Sequence, residues 1–437
     1  MLSRLNPFRG LPNPREVWAW GMYDFANQSF TLLIITLLFP LYFKKVAVTG
    51  DMNADSLWSI TFSSSMLVVV LLSPFVGAIA DARGWKKEFL VLTGFVCIAL
   101  TCAFALIGEG GWALAMALFI PANICYQMGE NFLASFLPEI SETRTIGRIS
   151  ATGWTMGYVG ALCLLVITAV MMELLGMTSE ADWGPLFVFA GMWFLVGMIA
   201  SLLYLRDRAP KREASSIGKV VGDALVRMRE TIAQASHFGQ LARFFIAFFI
   251  YAMGVQTMIA FASIIANDFG FTQVKLVLFV LQLTVTAGIG SVVTLLIQDR
   301  IGIKRCLLIF LGVWVLTCAG MSVLTIPSDP PEWMFWVVGN GVGLGLGGIG
   351  TSSRAMVGRF TPRQKTAEFF GLWGMVYKGA GVVGVFVFGQ VKVIDDTVAL
   401  AMLAVFFLVG LVMVLMVSEA RGYRAARQSQ RDYERQD

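Results

Sequence analysis

Four residues near the start of the chain, Asp24, Asn27, Gln28 and Thr31, fall at i, i+3, i+4 and i+7 inside an apolar run. A helix there carries all four on one face. The pattern returns at i, i+4, i+7 and i+8 with Asn123, Gln127, Glu130 and Asn131. Further on, Asn340, Thr351 and Arg354 share a side of one apolar segment, Lys378 lies near the middle of the next, and Gln256 and Gln282 stand singly in two others. Ionisable groups inside apolar segments cost several kcal/mol and are kept where they bind a polar solute or relay protons. At 1.5 Å per residue, Asp24 lies roughly 10 Å and Glu130 roughly 9 Å from the same end of their helices, with Arg354 about one turn in. Two buried acids and two buried bases at comparable depth suggest mutual compensation. The expectation is that Arg354 or Lys378 pairs with Asp24 or Glu130, and that a proton or a substrate breaks the pair. Two blander readings stand beside it. Arg354 could snorkel to the surface, and Asp24 could be a structural partner for a neighbouring helix.

Other chemistry is poorly supported. The one histidine, His237, sits in a polar linker, and the six cysteines (Cys97, Cys102, Cys125, Cys163, Cys306, Cys318) fall singly in apolar runs. Neither a metal site nor a disulfide framework is expected from that usage. Gly343-Leu344-Gly345-Leu346-Gly347-Gly348 matches a dinucleotide fingerprint, but it lies inside an apolar span with no preceding strand and fails the context test. The glycines of that span, and those at Gly153, Gly157 and Gly160 or Gly371, Gly374, Gly379, Gly381 and Gly384, are expected to let helices approach closely. There is no Walker motif and no nucleophile-base pair, so the chain is expected to be neither an ATPase nor another enzyme. No cofactor and no nucleic-acid partner are expected; a proton gradient is a plausible driving force, and uniport stays open beside it.

The elements that position these residues are membrane spans. The chain is 57% hydrophobic and 14% charged, with a mean hydropathy of +0.73, where soluble domains carry about 25% charge. Twelve apolar segments reach the ~20 residues a bilayer core requires: 17–43, 56–80, 86–107, 112–136, 149–172, 183–205, 242–266, 274–298, 304–325, 333–358, 367–390 and 397–418. The joints are short, such as 108–111 and 327–331, apart from one at 206–241. The expected organisation is a six-helix bundle over 1–205, a linker over 206–241 and a second bundle with a basic tail over 242–437. The fold class is all-α membrane protein. The first apolar run is too long for the ~7–15-residue core of a cleavable signal.

Of the 33 lysines and arginines, only Lys44, Lys45, Lys275 and Lys392 fall on one side of the twelve spans. Arg354 and Lys378 lie within spans and all the others fall on the opposite side. The positive-inside rule makes that side, with both termini and the linker, cytoplasmic. In the linker, Ile217, Val220, Val221, Ala224, Leu225, Met228 and Ile232 recur at helical spacing behind Ser215 and Ser216. A surface helix tying the halves together is expected.

Two charged turns mark a duplication. Gly77-Ala78-Ile79-Ala80-Asp81-Ala82-Arg83-Gly84-Trp85-Lys86-Lys87 is echoed half a chain later by Asp299-Arg300-Ile301-Gly302-Ile303-Lys304-Arg305. Asp81 matches Asp299, Gly84 matches Gly302, and Lys86 matches Lys304, without a gap. Each acid sits at the C-terminal end of its helix, where the helix dipole disfavours it. A compensating cation or helix N-terminus from the opposite half is therefore expected. The cassettes resemble the signature loop of the major facilitator superfamily, which latches the cytoplasmic ends in the outward-open state. The second copy has Leu295 in place of the leading glycine, implying a weaker latch.

A narrower resemblance lies in Trp20-Gly21-Met22-Tyr23-Asp24-Phe25-Ala26-Asn27-Gln28-Ser29-Phe30 with Phe39-Pro40-Leu41-Tyr42-Phe43, in Asn131 through Pro138-Glu139-Ile140 to Gly157-Tyr158, and in Ser353-Arg354, Pro362, Ala367 to Gly371 and Lys378. These are similar to the branch of that superfamily that contains the vacuolar amino-acid effluxer of autophagy and bacterial relatives. Gln28 departs from the branch, which often has a small residue there. The resemblance implies alternating access, a site between the halves lined by spans 1, 4, 7 and 10, and export of amino acids or other small polar metabolites. An importer of an anionic solute and a non-transporting receptor with the same fold are the competing readings. A monomer in a bacterial inner membrane is expected.

Overall fold

The computed structural model describes residues 8, 11, 13–142, 145–177, 179–207, 217–327, 331–362 and 365–434. Arg4, Arg9, Arg144, Ser215, Ser216 and Arg363 lie outside them, as do the side chains of Ile217, His237 and Ala367.

Twelve long helices cross the molecule: α1 (Pro14–Ala47), α2 (Ala54–Arg83), α3 (Lys86–Leu106), α4 (Trp112–Ile140), α5 (Ile146–Leu174) and α6 (Gly184–Tyr204). After α7 (Ile217–His237) in the linker come α8 (Gly239–Asp268), α9 (Gln273–Ile301), α10 (Ile303–Leu324), α11 (Glu332–Phe360), α12 (Thr366–Lys392) and α13 (Asp396–Met416). The tail forms α14 (Glu419–Glu434). Among the described residues, eleven helices are long and apolar enough to span a bilayer. The twelfth crossing is α11, whose hydropathy is diluted by glycines and Asn340. Helices outrun the apolar segments by up to about a turn because side-chain caps carry them beyond the hydrocarbon. Asn53 Oδ1 accepts from Ser56 N at 3.0 Å to start α2, and Asp395 Oδ1 accepts from Val398 N at 2.8 Å to start α13.

The packing repeats. α1 packs on α5 and α6, as α8 packs on α12 and α13; α2 meets α4 as α9 meets α11; α3 contacts α4 and α6 as α10 contacts α11 and α13. The main contacts between halves, α2 with α12 and α5 with α9, exchange under the same equivalence. α11 is held by glycines whose Cβ positions are already occupied. Gly343 and Gly347 abut backbone of α9, while Gly345 and Gly348 abut Trp314 and Phe310 of α10. On α5, Gly153 meets Trp20 and Gly160 meets the Phe25 backbone. Gly371 and Gly374 of α12 face open space, so close approach does not explain them.

α1 departs from a plain helix. Ser29–Leu37 and Phe43–Ala47 are π-helical, with the wider i→i+5 turn. Thr36 Oγ1 donates to Thr31 O, five residues back, at 2.9 Å. Such segments collect at functional sites, and this one starts directly after Gln28.

α7 lies across the seam between halves, against α2, α8 and α12. Its inner face buries Ala224 and Ala235, and Lys365 Nζ donates to Gln234 Oε1 at 2.6 Å.

Candidate functional site

The polar faces of α1 and α4 meet. Asn27 Nδ2 donates to Glu130 Oε1, Gln28 Nε2 donates to Asn27 Oδ1 at 3.4 Å, and the Thr31 and Tyr126 hydroxyls are 2.6 Å apart. Trp20 Nε1 donates to Leu133 O at 2.8 Å, fixing the register of the two helices. Asp24 lies against α5, where a Cβ on Gly157 would stand 3.1 Å from its Oδ2. A larger residue at 157 would displace the carboxylate. Tyr23 is fully buried beside Gly129, and its hydroxyl has no hydrogen-bond partner among the described residues.

The second half contributes Lys378 from α12. Its Nζ donates to Asn131 Oδ1 at 2.7 Å and to Gln127 O at 3.3 Å, and Asn131 Nδ2 donates to Ser73 Oγ at 3.0 Å. Lys378 and Asp24 both lie within electrostatic range of Glu130. One carboxyl therefore lies near both a second carboxyl and an ammonium, on elements from both halves. Such a group can exchange a proton or a solute cation as the halves move. Asp24, Gln127, Glu130 and Lys378 are half-buried and Asn131 is exposed, so the site is open rather than sealed.

The remaining candidates are scattered. Asn123 Nδ2 donates to Ser65 Oγ at 2.7 Å in the first half. Gln282 Nε2 donates to Asn340 Oδ1 at 2.7 Å and to Trp336 O at 3.1 Å, a separate knot between α9 and α11. Gln256 Nε2 reaches Tyr377 O at 3.5 Å. The expected ion pairs do not form. Among the described residues, neither Arg354 nor Lys378 lies within ion-pair distance of Asp24 or Glu130. Arg354 instead lies over Trp154 of α5 (5.1 Å) and Trp373 of α12 (5.8 Å), where ring faces stabilise the cation.

The charged turns are built as matched hairpins. Gly84 (φ 64°) and Gly302 (φ 92°) hold backbone that only glycine adopts readily. Asp81 finds its cation on its own hairpin, not in the opposite half. Lys86 Nζ is 3.1 Å from Asp81 and 2.8 Å from Glu139. Asp299 is exposed. The hairpin geometry supplies the reason, since Gly84 folds Lys86 back over the end of α2. Acids in both halves also cap the helix that follows the turn. Asp207 accepts from Lys86 N at 3.0 Å and Glu419 from Lys304 N at 3.3 Å, while Lys304 Nζ donates to Leu415 O at 2.7 Å. Gly77, Asp81, Lys86, Ser73 and Asn131 line one cleft of about 70 Å³, which joins the turn to the central site.

At the opposite end, sequence reasoning missed a network. Asp268 of α8 accepts from Lys44 (3.3 Å) of the first half and from Lys392 (2.6 Å) of the second. Lys44 also pairs with Asp55 at 3.1 Å, and Lys392 with Asp396 at 2.5 Å. Trp58 Nε1 donates to Ala260 O at 2.9 Å, and Gln390 bridges Ser56 (3.0 Å) and Ser59 (3.1 Å). That end is closed. Asp268 reads in sequence as an ordinary loop acid, and only the return of α8 to the end of α1 reveals its role.

Residues 47–427 match the profile of the family described as "Vacuole effluxer Atg22 like". The chain is similar to YxiO of Bacillus subtilis (strain 168), described as an uncharacterized MFS-type transporter, at 23% identity over 92% of this chain and 94% of that one. It is also similar to autophagy-related protein 22 of Kluyveromyces lactis, at 23% identity over 95% of each. Two solved structures share the fold. The nucleoside transporter NupG matches with TM-score 0.68 and 13% identity over 92% of this chain and 98% of NupG. A bacterial homologue of the human lysosomal transporter Spinster, in an inward-facing and unoccupied conformation, matches with TM-score 0.60 and 10% identity over 94% and 96%. A twelve-helix duplicated bundle, a polar site shared by its halves and a family match over most of the length lead to one conclusion: the chain belongs to the Atg22-like family of major facilitator transporters.

Proposed function

We propose that this transporter exports a small polar metabolite, in the amino-acid class, by alternating access coupled to protons through Asp24 and Glu130. The observation that carries this reading is the placement of Glu130. It is bonded to Asn27, lies within electrostatic range of Asp24, and is flanked on α4 by the two groups on which Lys378 of the other half docks, Asn131 next to it and Gln127 one turn before it. Protonation there changes the charge that Lys378 meets, which ties proton occupancy to the fit between halves. Basic residues concentrated at the termini-bearing end support a cytoplasmic placement of that end, and the membrane we propose is a bacterial inner membrane. The closed opposite end then makes this arrangement inward-facing. In it, the charged turns have no latch to form across the halves.

The test is reconstitution into liposomes with a panel of amino acids and other small polar metabolites, with and without an imposed pH gradient. Substrate movement driven by the gradient in the wild type, and absent in folded Asp24→Asn, is the expected result. Movement indifferent to the gradient removes the proton, and undiminished transport by Asp24→Asn removes Asp24.

A further inference from the structure

The seam between α5 and α9 holds an open groove of about 420 Å³. Tyr158 and Leu162 form one wall, and Thr284, Gly288, Ile289 and Val292 lie along the other. Its lining is almost wholly apolar, and a Cβ on Gly288 would meet nothing within 4 Å. Thr284, Gly288 and Val292 follow at intervals of four, so they form a stripe about 12 Å long. Apolar volume facing the bilayer is filled by hydrocarbon.

One end of the groove carries a charge. Trp154, Tyr158 and Leu162 are spaced by four on α5. The Trp154 and Tyr158 rings are 6.3 Å apart, and Arg354 lies over Trp154. Arg354 is exposed, and no carboxylate or carbonyl among the described residues takes its N–H groups. Stacking uses the guanidinium faces and leaves its edge for an anion. Depth agrees with this. α11 has 29 residues, so it is about 43 Å long against a hydrocarbon core of about 30 Å, and projects about 7 Å at each end. Arg354 lies six residues before Phe360, about 9 Å from the helix end. It therefore stands within a few ångströms of the hydrocarbon boundary, at headgroup level, with two tryptophans suited to that zone.

We propose that this seam is a specific site for an anionic phospholipid, with one acyl chain in the α5–α9 groove and the phosphate on Arg354. Arginine suits this role because its fork bonds two phosphate oxygens at once. Since the groove is shared by both halves, its occupancy changes as they rock. The site uses neither Asp24 nor Glu130, the groups of the proton-coupling proposal.

The test is native mass spectrometry of the full chain, released in mild detergent from vesicles of equimolar phosphatidylglycerol and phosphatidylcholine. Wild type is expected to retain one phosphatidylglycerol with at least tenfold preference. Arg354→Gln is expected to equalise the two lipids, and Gly288→Trp to lose both, while each variant keeps its elution profile and Tm. If Gly288→Trp fails to fold, Val292→Phe obstructs the same groove. Equal retention of the two lipids by wild type would reduce the groove to ordinary lipid contact. A preference that survives Arg354→Gln would place the headgroup elsewhere, and full retention in a folded groove variant would place the chain elsewhere. Any of these results overturns the proposal.

Discussion

Asp268→Asn should loosen the closed end. Asp268 is the acid that both Lys44 and Lys392 share, so it joins the halves. The two bonds are unequal. Lys44 and Asp268 meet at 3.3 Å with a quarter or more of each side chain exposed, which limits that pair to about 1 kcal/mol or less. Lys392 is only 4% exposed and meets Asp268 at 2.6 Å, so that charge-assisted bond contributes about 1.5–3 kcal/mol. Lys392 and Asp268 both belong to the second half, so their bond survives opening and only the Lys44–Asp268 pair is lost when the halves part. Losing that pair costs about 1 kcal/mol or less, at most about a fivefold shift toward opening. The assay is modification of Ser59→Cys by a membrane-impermeant thiol reagent, in a background lacking the six native cysteines, which are all free thiols. Ser59 is fully buried beneath Gln390, so its labelling reports opening. A rise of about two- to fivefold is expected, with labelling of the exposed Asp51→Cys unchanged. Labelling equal to that without the substitution would refute the assignment of Asp268 as a closing contact.

Three further outcomes follow from the geometry. Glu130→Gln retains an acceptor for Asn27 but no charge for Lys378, and should abolish gradient-driven accumulation while sparing substrate exchange in counterflow assays. Gly347→Leu drives a side chain into the Ala287 and Ser291 backbone of α9 and should cost about 1–3 kcal/mol, read as a lower Tm, whereas Gly350→Leu enters open space and should leave Tm unchanged. Glu419→Ala removes the 3.1 Å pair with Arg359 and the cap on Lys304 N, so amide exchange in α14 should accelerate by about tenfold while that in α8 stays slow.

Much of this arrangement was legible because it follows from one-dimensional patterns. Apolar runs mark the spans, and the matched glycines and charges of the two turns mark the duplication. The i, i+4, i+7 spacing was enough to bring Asn27 and Glu130 to facing sides of α1 and α4. Partner choice was not legible. Opposite charges at similar depth suggested that Arg354 would meet a carboxylate, but helical depth leaves the angle around the bundle undetermined, and the tryptophans of α5 and α12 are nearer. Asp81 was expected to reach across the molecule, yet the left-handed residue Gly84 returns Lys86 to it. The π-helical stretch of α1 was invisible for another reason: a change from i→i+4 to i→i+5 leaves the apolar composition untouched. Asp268 was hidden because it closes an apolar run as any loop acid would, and its partners come from both halves.

Only Phe238 separates α7 from α8, so the linker helix is anchored to the second half and travels with it. Its broad bearing against α2 of the first half is then the surface that must slip whenever the two units turn. A helix of 21 residues lying over that joint would then act as a stop if the units move as proposed. The wider swing would fall to the flank of α5 and α9.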